Sequence, residues 1–99
     1  MQSTIQKDDD GISLLLEDRF TFNDHEAFRQ VMDSVVKAAP SRLTIDLSKA
    51  VYLDSAAVGM LLMLRERLDR ISIVLKGGNQ TVKELIRIAK LGTLFDLAD

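Results

Sequence analysis

The chain has 99 residues, of which 46% are apolar and 28% are charged, a composition typical of one soluble domain with one packed core. The formal net charge is −2 and no basic block or stripe occurs, so nucleic acid is not expected as a partner. The absence of cysteine excludes disulfides, thiolate zinc sites and cysteine nucleophiles, and the single histidine, His25, cannot form a histidine metal site alone. We therefore expect no metal or other cofactor.

The amino-terminal segment lacks the apolar region of a secretory signal, and the longest apolar stretch, residues 56–64, is too short to span a bilayer. These features predict a cytoplasmic protein without membrane contact. No linker, internal repeat or low-complexity segment divides the chain, so residues 1–99 are expected to form a single domain.

Two strands are predicted near the amino terminus, over residues 4–8 and 12–17. Asp10 and Gly11 separate them, and these residue types tolerate the positive φ of a two-residue hairpin turn. Phe20 and Phe22 then alternate with polar residues, and one of them is expected to close the core under the first helix.

A first helix is predicted to begin at Asn23, because Glu26 three residues later completes a capping-box pattern. Pro40 ends this helix, since proline cannot continue the helical hydrogen bonds. Its apolar face is formed at helical spacing by Phe28, Val31, Met32, Val35 and Ala39.

The rest of the chain alternates strand and helix, with a strand over residues 43–47, a helix over 56–70 and a strand over 71–75. A turn at residues 77–79 precedes a third helix. The order β-β-α-β-α-β-α favours an α/β domain with a largely parallel sheet and an antiparallel hairpin at one edge. The third helix is expected to be capped by Thr81 with Glu84 and to end at Gly92. Its buried face is expected to be Leu85, Ile88 and Ala89.

Asp54 and Ser55 lie at the start of the second helix, and Ser55 has two interpretations. Serine is a preferred N-cap because its oxygen accepts hydrogen bonds from free backbone amides, so Ser55 can be a cap and nothing more. Gly59 can likewise be only a point of close packing between helix and sheet. The alternative is that this end of the helix is a functional site.

Helical spacing divides the second helix into a core stripe and an outer face, with Met63 beside the outer face. Leu62 and Met63 have no evident core to enter. They form either a docking patch for a partner or a surface covered by a neighbouring helix or loop. The core stripe is Ala57, Leu61, Leu64 and Leu68, and the outer face is Ser55, Gly59, Leu62 and Glu66.

A phosphate would be accommodated at Ser55, because the start of a helix offers free amides and a positive partial charge. Phosphorylation adds roughly −1.5 to −2 charge, here next to Asp54 and on the face that carries Leu62. Burying that charge unpaired against an apolar or acidic partner is very unfavourable. Phosphorylation can therefore abolish binding without unfolding the domain.

The stretch from Leu43 to Leu62, with Asp54-Ser55-Ala56-Ala57-Val58-Gly59 at its centre, resembles the signature of STAS domains in bacterial anti-sigma factor antagonists. Residues 77–95 are similar to the turn and helix that follow later in that family. The resemblance implies a STAS-like α/β fold, with a mixed, mostly parallel sheet of about four to five strands, an antiparallel edge hairpin and about three helices.

The resemblance also implies a partner-switching cycle, in which the family's phosphorylated serine maps to Ser55. The unmodified protein binds an anti-sigma factor, often a serine kinase, and a sigma factor is released. The kinase phosphorylates the serine and a PP2C-type phosphatase restores it. The protein is expected to be a monomer or a weak homodimer, and the residues expected to bind its partner are Asp54, Ser55, Val58, Gly59, Leu62, Met63 and Glu66.

Two features depart from the family pattern. Ala57 stands where glycine is usual, although alanine also occurs in relatives. The chain ends at Asp99, soon after Phe95, so the last strand is expected to be a stub and the C-terminal helix of many relatives to be missing.

Two alternative functions differ in class from the antagonist. The first is a non-enzymatic STAS subunit of a transporter or of another signalling complex, although members there commonly have threonine at the position of Ser55. The second is an enzyme, which we do not expect because the sequence has no P-loop, dinucleotide fingerprint, metal spacing or Ser-His-Asp pattern. Asp46 and Asp54 could form an acid pair, but carboxylates in such places are commonly caps or loop residues.

Overall fold

Strands and helices alternate along residues 1–99, all of which are described by the computed structural model. Two 3-10 turns, Phe22–Asp24 and Leu91–Thr93, flank the regular elements. The strands and helices in chain order are β1 (Gln2–Asp8), β2 (Gly11–Phe20), α1 (His25–Ala38), β3 (Arg42–Asp46), β4 (Ala50–Leu53), α2 (Ser55–Arg67), β5 (Ser72–Lys76), α3 (Gln80–Ile88) and β6 (Asp96–Ala98).

The predicted amino-terminal hairpin is confirmed, and both of its strands are longer than expected. β1 and β2 pair antiparallel from Gln2 opposite Glu17 to Asp8 opposite Gly11. Gly11 has a φ of 144°, and a Cβ at this position would collide with the carbonyl oxygen of Arg42 at the start of β3. Only glycine meets both requirements, so this turn is specified by sterics.

The main sheet has the strand order β1-β2-β3-β5-β6, in which every pair except the hairpin is parallel. β2 is long enough to pair twice: its first half pairs with β3, and residues Asp18 to Phe20 pair with β4 after an irregularity at Asp18, where φ is 71°. The α/β fold with an edge hairpin is therefore confirmed.

The sheet has six strands, whereas about four to five were expected. No strand was predicted between residues 47 and 56, but Ala50–Leu53 forms β4. The middle two of its four residues are exposed and the outer two buried, so it lacks the alternation that marks a strand in sequence. β6 is the expected stub, with three exposed residues.

The first helix was predicted to be capped by Asn23, and this is wrong. The capping box lies two residues earlier and belongs to the 3-10 turn Phe22–Asp24: Thr21 Oγ1 accepts from the amide of Asn23 (3.3 Å) and Asp24 Oδ2 accepts from the amide of Thr21 (2.8 Å). The N-cap of α1 itself is Asp24, whose side chain makes no capping bond to that helix. Pro40 ends the helix as expected, but Ala39 is not on the apolar face. It is the exposed C-cap with a left-handed φ of 48°.

The predicted capping box and buried face of the third helix are also wrong. Asn79 is the N-cap, and its Oδ1 accepts from the amide of Val82 at 2.8 Å. Val82 and Ile86, four residues apart, enter the core, while Leu85 is half-buried and Ile88 is 62% exposed. Lys90, rather than the predicted Gly92, adopts the left-handed conformation after this helix. Ala89, which was expected to be buried beside Leu85 and Ile88, is exposed.

One cluster of 23 buried apolar residues forms the core, and no polar or charged residue is buried. In β2, Ile12, Leu14 and Leu16 are buried, and the residues between them are only half-buried. The helices therefore cover one face of the sheet. The predicted core stripe of α2 is present, since Ala57, Leu61 and Leu64 are fully buried and Leu68 is half-buried. None of the helices is long and apolar enough to pass through a bilayer.

Candidate functional site

The carboxylate of Asp54 joins the start of α2 to the turn that precedes α1. Its Oδ1 accepts from the amide of Ala57 at 2.8 Å, which makes Asp54 the N-cap of α2. Its Oδ2 accepts from the amide of Phe22 at 3.0 Å, although the two residues are 32 positions apart. The amide of Asp54 itself donates to the carbonyl of Phe20 at 3.3 Å, so the entry to α2 is also tied to β2.

Ser55 is the first residue of α2 and is exposed. The interpretation that Ser55 is merely the helix cap is wrong, because Asp54 makes the capping bond to Ala57. The hydroxyl of Ser55 therefore lies at the solvent-accessible start of the helix, where backbone amides of the first turn have no partner within the helix.

Gly59 lies one helical turn after Ser55 and is exposed. A Cβ at this position would have no atom of another element within 4 Å. The interpretation that Gly59 is a point of close packing between helix and sheet is therefore wrong. Nothing inside the molecule requires a glycine there.

The outer residues of α2 are not equally accessible. Glu66 is exposed and Met63 is 49% exposed, whereas Leu62 is half-buried. Val58 is only 9% exposed and belongs to the core cluster, so it offers a partner little accessible area.

Leu62 and Met63 lie on different flanks of α2. Leu62 borders an open cleft at the C-terminal end of the helix together with Leu94, which is 53% exposed. Met63 borders a small cleft between α1 and α2 together with His25. The alternative that a neighbouring loop covers both side chains therefore holds in part for Leu62 and not for Met63.

Phe22 belongs to this region but was not singled out as a site residue. Phe20 is the phenylalanine that closes the core, fully buried with its ring centroid 4.9 Å from that of Phe28. Phe22 is 67% exposed, and its ring centroid lies 6.2 Å from that of His25. Alternation alone would place both phenylalanines on one face, but β2 ends at Phe20 and a 3-10 turn begins at Phe22, so only Phe20 points into the core.

Asp46 and Asp54 do not share a site. Asp46 Oδ1 accepts from the amide of Ser48 at 2.9 Å, whereas the carboxylate of Asp54 accepts from the amides of Ala57 and Phe22. Burial by itself would raise the pKa of Asp46, but the hydrogen bonds from Ser48 and the nearby charges of Lys76 and Lys49 together hold that pKa below its ordinary value. Each carboxylate thus stabilises its own turn.

Known sequences match this chain along most of its length. The sequence model described as "Mlab, STAS domain" matches residues 3–97 of this chain. A STAS-domain containing protein of Pseudomonas aeruginosa (strain UCBPP-PA14) is 32% identical over 93 residues, which cover 92% of this chain and 91% of that protein.

Solved structures with the same fold include anti-sigma factor antagonists. One from Mycobacterium paratuberculosis has a TM-score of 0.90 at 20% identity and covers 98% of this chain and 84% of that one. The antagonist SpoIIAA in its unphosphorylated form has a TM-score of 0.78 at 17% identity, covering 99% and 89%. The Bacillus cell fate determinant SpoIIAA in its phosphorylated form has a TM-score of 0.75 at 15% identity, covering 99% and 92%.

Proposed function

Because this chain belongs to the STAS-domain family, we propose that it is an anti-sigma factor antagonist whose binding is switched off by phosphorylation of Ser55. In its unphosphorylated form it binds an anti-sigma factor or serine kinase in the cytoplasm, and a sigma factor is released. The kinase modifies Ser55, and a PP2C-type phosphatase reverses the modification. The chain works as a monomer or weak homodimer by binding, without catalysis of its own.

The observation that carries this proposal is that Asp54, and not Ser55, caps α2, which leaves the hydroxyl of Ser55 without a capping role. Asp54 caps α2, and Ser55 is exposed at the first helical position. A kinase can therefore reach the hydroxyl, and its modification removes no capping bond from the fold.

The surface around Ser55 supports a protein partner. Gly59, Met63 and Glu66 follow it along the exposed side of α2, and Leu62 lies half-buried beside them. A phosphoryl group adds roughly −1.5 to −2 charge next to the carboxylate of Asp54, on a side of α2 whose named residues include no cation. A partner that covered the charged group without pairing it would have to desolvate it, so binding is lost.

The test measures binding of the purified protein to each anti-sigma factor and serine kinase encoded by its source genome. Ser55→Ala is expected to bind one of them as tightly as the unmodified protein, and Ser55→Asp at least tenfold more weakly. Gln80→Asp is the matched control, since Gln80 is the exposed first residue of α3 and gains the same charge at the same helical position. Equal binding by Ser55→Ala and Ser55→Asp would overturn the switch.

Intact-mass analysis of the protein from its native host, with the modified residue mapped, tests whether Ser55 carries the phosphate. A phosphate on another residue would contradict the proposed site. Recovery of a transporter ATPase, with no binding to any anti-sigma factor or kinase, would favour the transporter-subunit alternative.

A further inference from the structure

A cavity of about 620 Å³ lies between α3, the 3-10 turn Leu91–Thr93 and β6. Its volume is in the range of sites that hold small organic ligands. Gly77, just after β5, and Ala98, the last residue of β6, both border it, so it opens at the carboxyl ends of two parallel strands. Ligands of α/β domains commonly bind at that edge of the sheet. We call this space the α3–β6 cavity, and none of the residues that line it belongs to α2.

The floor of the cavity is aliphatic and is a part of the sheet that α3 leaves uncovered. Leu75 and Ile86 belong to the hydrophobic core, yet both border the cavity. Leu97 pairs in register with Leu75 and so faces the same side of the sheet, but it is 54% exposed. A Cβ on Gly92 would lie 3.2 Å from Leu97 Cδ1, so the absence of a side chain there keeps space open beside Leu97. The cavity therefore reaches from solvent down to the core.

Three cations border the same cavity. Lys83 and Arg87 are one helical turn apart on α3, and Lys90 follows three residues later. The one acidic side chain of the lining is that of Asp99, which is fully exposed and lies 3.5 Å from Lys83 Nζ. Arg87 also pairs with Glu84 on the surface of α3, and ion pairs as exposed as these contribute little. The lining therefore has an excess of positive charge that an anion can neutralise.

Lys90 has a backbone conformation that favours glycine. Its φ is 57°, and the left-handed position after a helix is most often taken by glycine or asparagine. Its amide donates to the carbonyl of Arg87 and its carbonyl accepts from the amide of Thr93, bonds that glycine would make equally well. The backbone thus gives no reason for a lysine here, whereas its side chain borders the cavity. A strained residue that the fold does not require points to a use for its side chain.

The other large clefts do not combine an aliphatic floor with an excess of cations. The cleft at the C-terminal end of α2 has two arginines and two carboxylates, so its side-chain charges balance. The cleft between β4 and α3 has one charged residue, Glu84, which would repel an anion. An anionic ligand with an apolar part is therefore expected at the α3–β6 cavity and not at these clefts.

We infer that the α3–β6 cavity binds an anion with a single aliphatic chain, such as a free fatty acid. The chain lies on the aliphatic floor, and the head group pairs with the cations of the rim. No aromatic side chain borders the cavity, so a nucleobase has no ring to stack on. The one hydroxyl, Thr93 Oγ1, already donates to the carbonyl of Lys90 at 2.8 Å, so a sugar finds no free side-chain hydroxyl or amide donor. This inference does not depend on the proposed function.

Calorimetric titration of the full chain with decanoate tests the inference. We expect saturable binding, with the largest changes in amide NMR shifts at the turn Leu91–Thr93 and at β6. Decanol has the same chain without the charge and acetate has the charge without the chain, so each should bind weaker by about tenfold or more. Equal affinity for decanol and decanoate would overturn the inference. Adsorption to vesicles of anionic phospholipid without saturable binding of decanoate would also overturn it, since the cations would then contact a membrane surface.

Two variants with matched controls locate the site. Lys90→Gly removes a cation and relieves the left-handed strain, so affinity for decanoate should fall about fivefold or more while Tm stays equal or rises. Lys37→Ala, at an exposed position near the end of α1, should bind decanoate as the wild type does. Leu97→Asp places a carboxylate in the cavity and should abolish binding, whereas Leu94→Asp changes an equally exposed leucine outside it and should not. Unchanged affinity in both Lys90→Gly and Leu97→Asp would overturn the inference, whatever the effect of Ser55→Asp on the anti-sigma partner.

Discussion

The amide of Phe22 and the carboxylate of Asp54 meet at 3.0 Å across 32 residues of sequence, and the other oxygen of the same carboxylate caps α2. One side chain thereby sets the position of the helix start and of the turn that carries an exposed aromatic ring. Both roles can be separated by substitution.

Asp54→Ala should lower the free energy of unfolding by about 1–3 kcal/mol, because an N-cap and a second amide hydrogen bond are lost together. Asp54→Asn keeps one acceptor oxygen for Ala57 and loses the acceptor for Phe22. Its free energy of unfolding should therefore lie between those of Asp54→Ala and the wild type. Urea denaturation measures both variants. Equal stability of all three proteins would show that the carboxylate contributes nothing to the fold.

Arg65 holds the region after α2 together. It is half-buried, and its guanidinium donates to the carbonyls of Leu68, Ile71 (2.7 Å) and Leu94 (3.3 Å). Arg65→Met keeps much of the apolar stem but orphans these carbonyls, so we expect a loss of about 1–3 kcal/mol of stability.

Arg65→Lys should recover only part of that loss, since an ammonium group cannot span three acceptors in the way a planar guanidinium does. Arg70→Met, at an exposed position near the same turn, is the control that should be close to neutral. Chemical denaturation of the four proteins under one set of conditions tests this order, and a neutral Arg65→Met would refute it.

Asp46 should make stability depend on pH in the acid range. Its folded pKa is lowered, so its charged form stabilises the fold above the unfolded pKa near 4, and this contribution is lost as the pH falls through the folded pKa. Asp46→Asn retains an acceptor for the amide of Ser48 and removes the charge. It should be less stable than the wild type at pH 7 by under about 1 kcal/mol, since the group is partly exposed.

The difference between the two proteins should shrink when the denaturation series is repeated at progressively lower pH. Asp9→Asn, in the exposed hairpin turn, should show no such convergence. A stability gap for Asp46→Asn that is independent of pH would mean that the lost charge is not the cause.

Phosphorylation of Ser55 should leave the fold at least as stable as before. A dianion at the first position of α2 interacts favourably with the positive end of the helix dipole, typically by about 0.3–1 kcal/mol. Protein carrying phosphoserine at position 55 should therefore show an equal or higher Tm. A large decrease in Tm would indicate that phosphorylation acts by unfolding and not by blocking an intact surface.

The fold class followed from sequence because the apolar periodicity of β2, α1 and β5 reflects the sheet face that the helices cover. β4 could not be predicted in this way. Its three-residue pairing with β2 depends on the irregularity at Asp18, which is a property of the assembled sheet. The start of the first helix was misplaced because Asn23 and Glu26 have capping-box spacing, whereas the box forms at Thr21 and Asp24, around a 3-10 turn that precedes α1.

The candidate site likewise combines features that can be predicted from sequence with one that cannot. The position of Ser55 at a helix start and the outward side of Gly59 follow from local geometry. The contribution of Phe22 does not, since it depends on a hydrogen bond from a distant residue. The identity of the cap could be resolved only in three dimensions, because aspartate and serine are equally good caps in sequence.

The pairing of β4 with β2 has a consequence for the kinetics of recognition. The chain enters α2 directly from a strand, with the amide of Asp54 already bonded to the carbonyl of Phe20. Little of this chain then needs to become ordered when it meets a partner, so we expect it to dock as a rigid body. We also expect most of the difference in affinity between strong and weak complexes to lie in the dissociation rate.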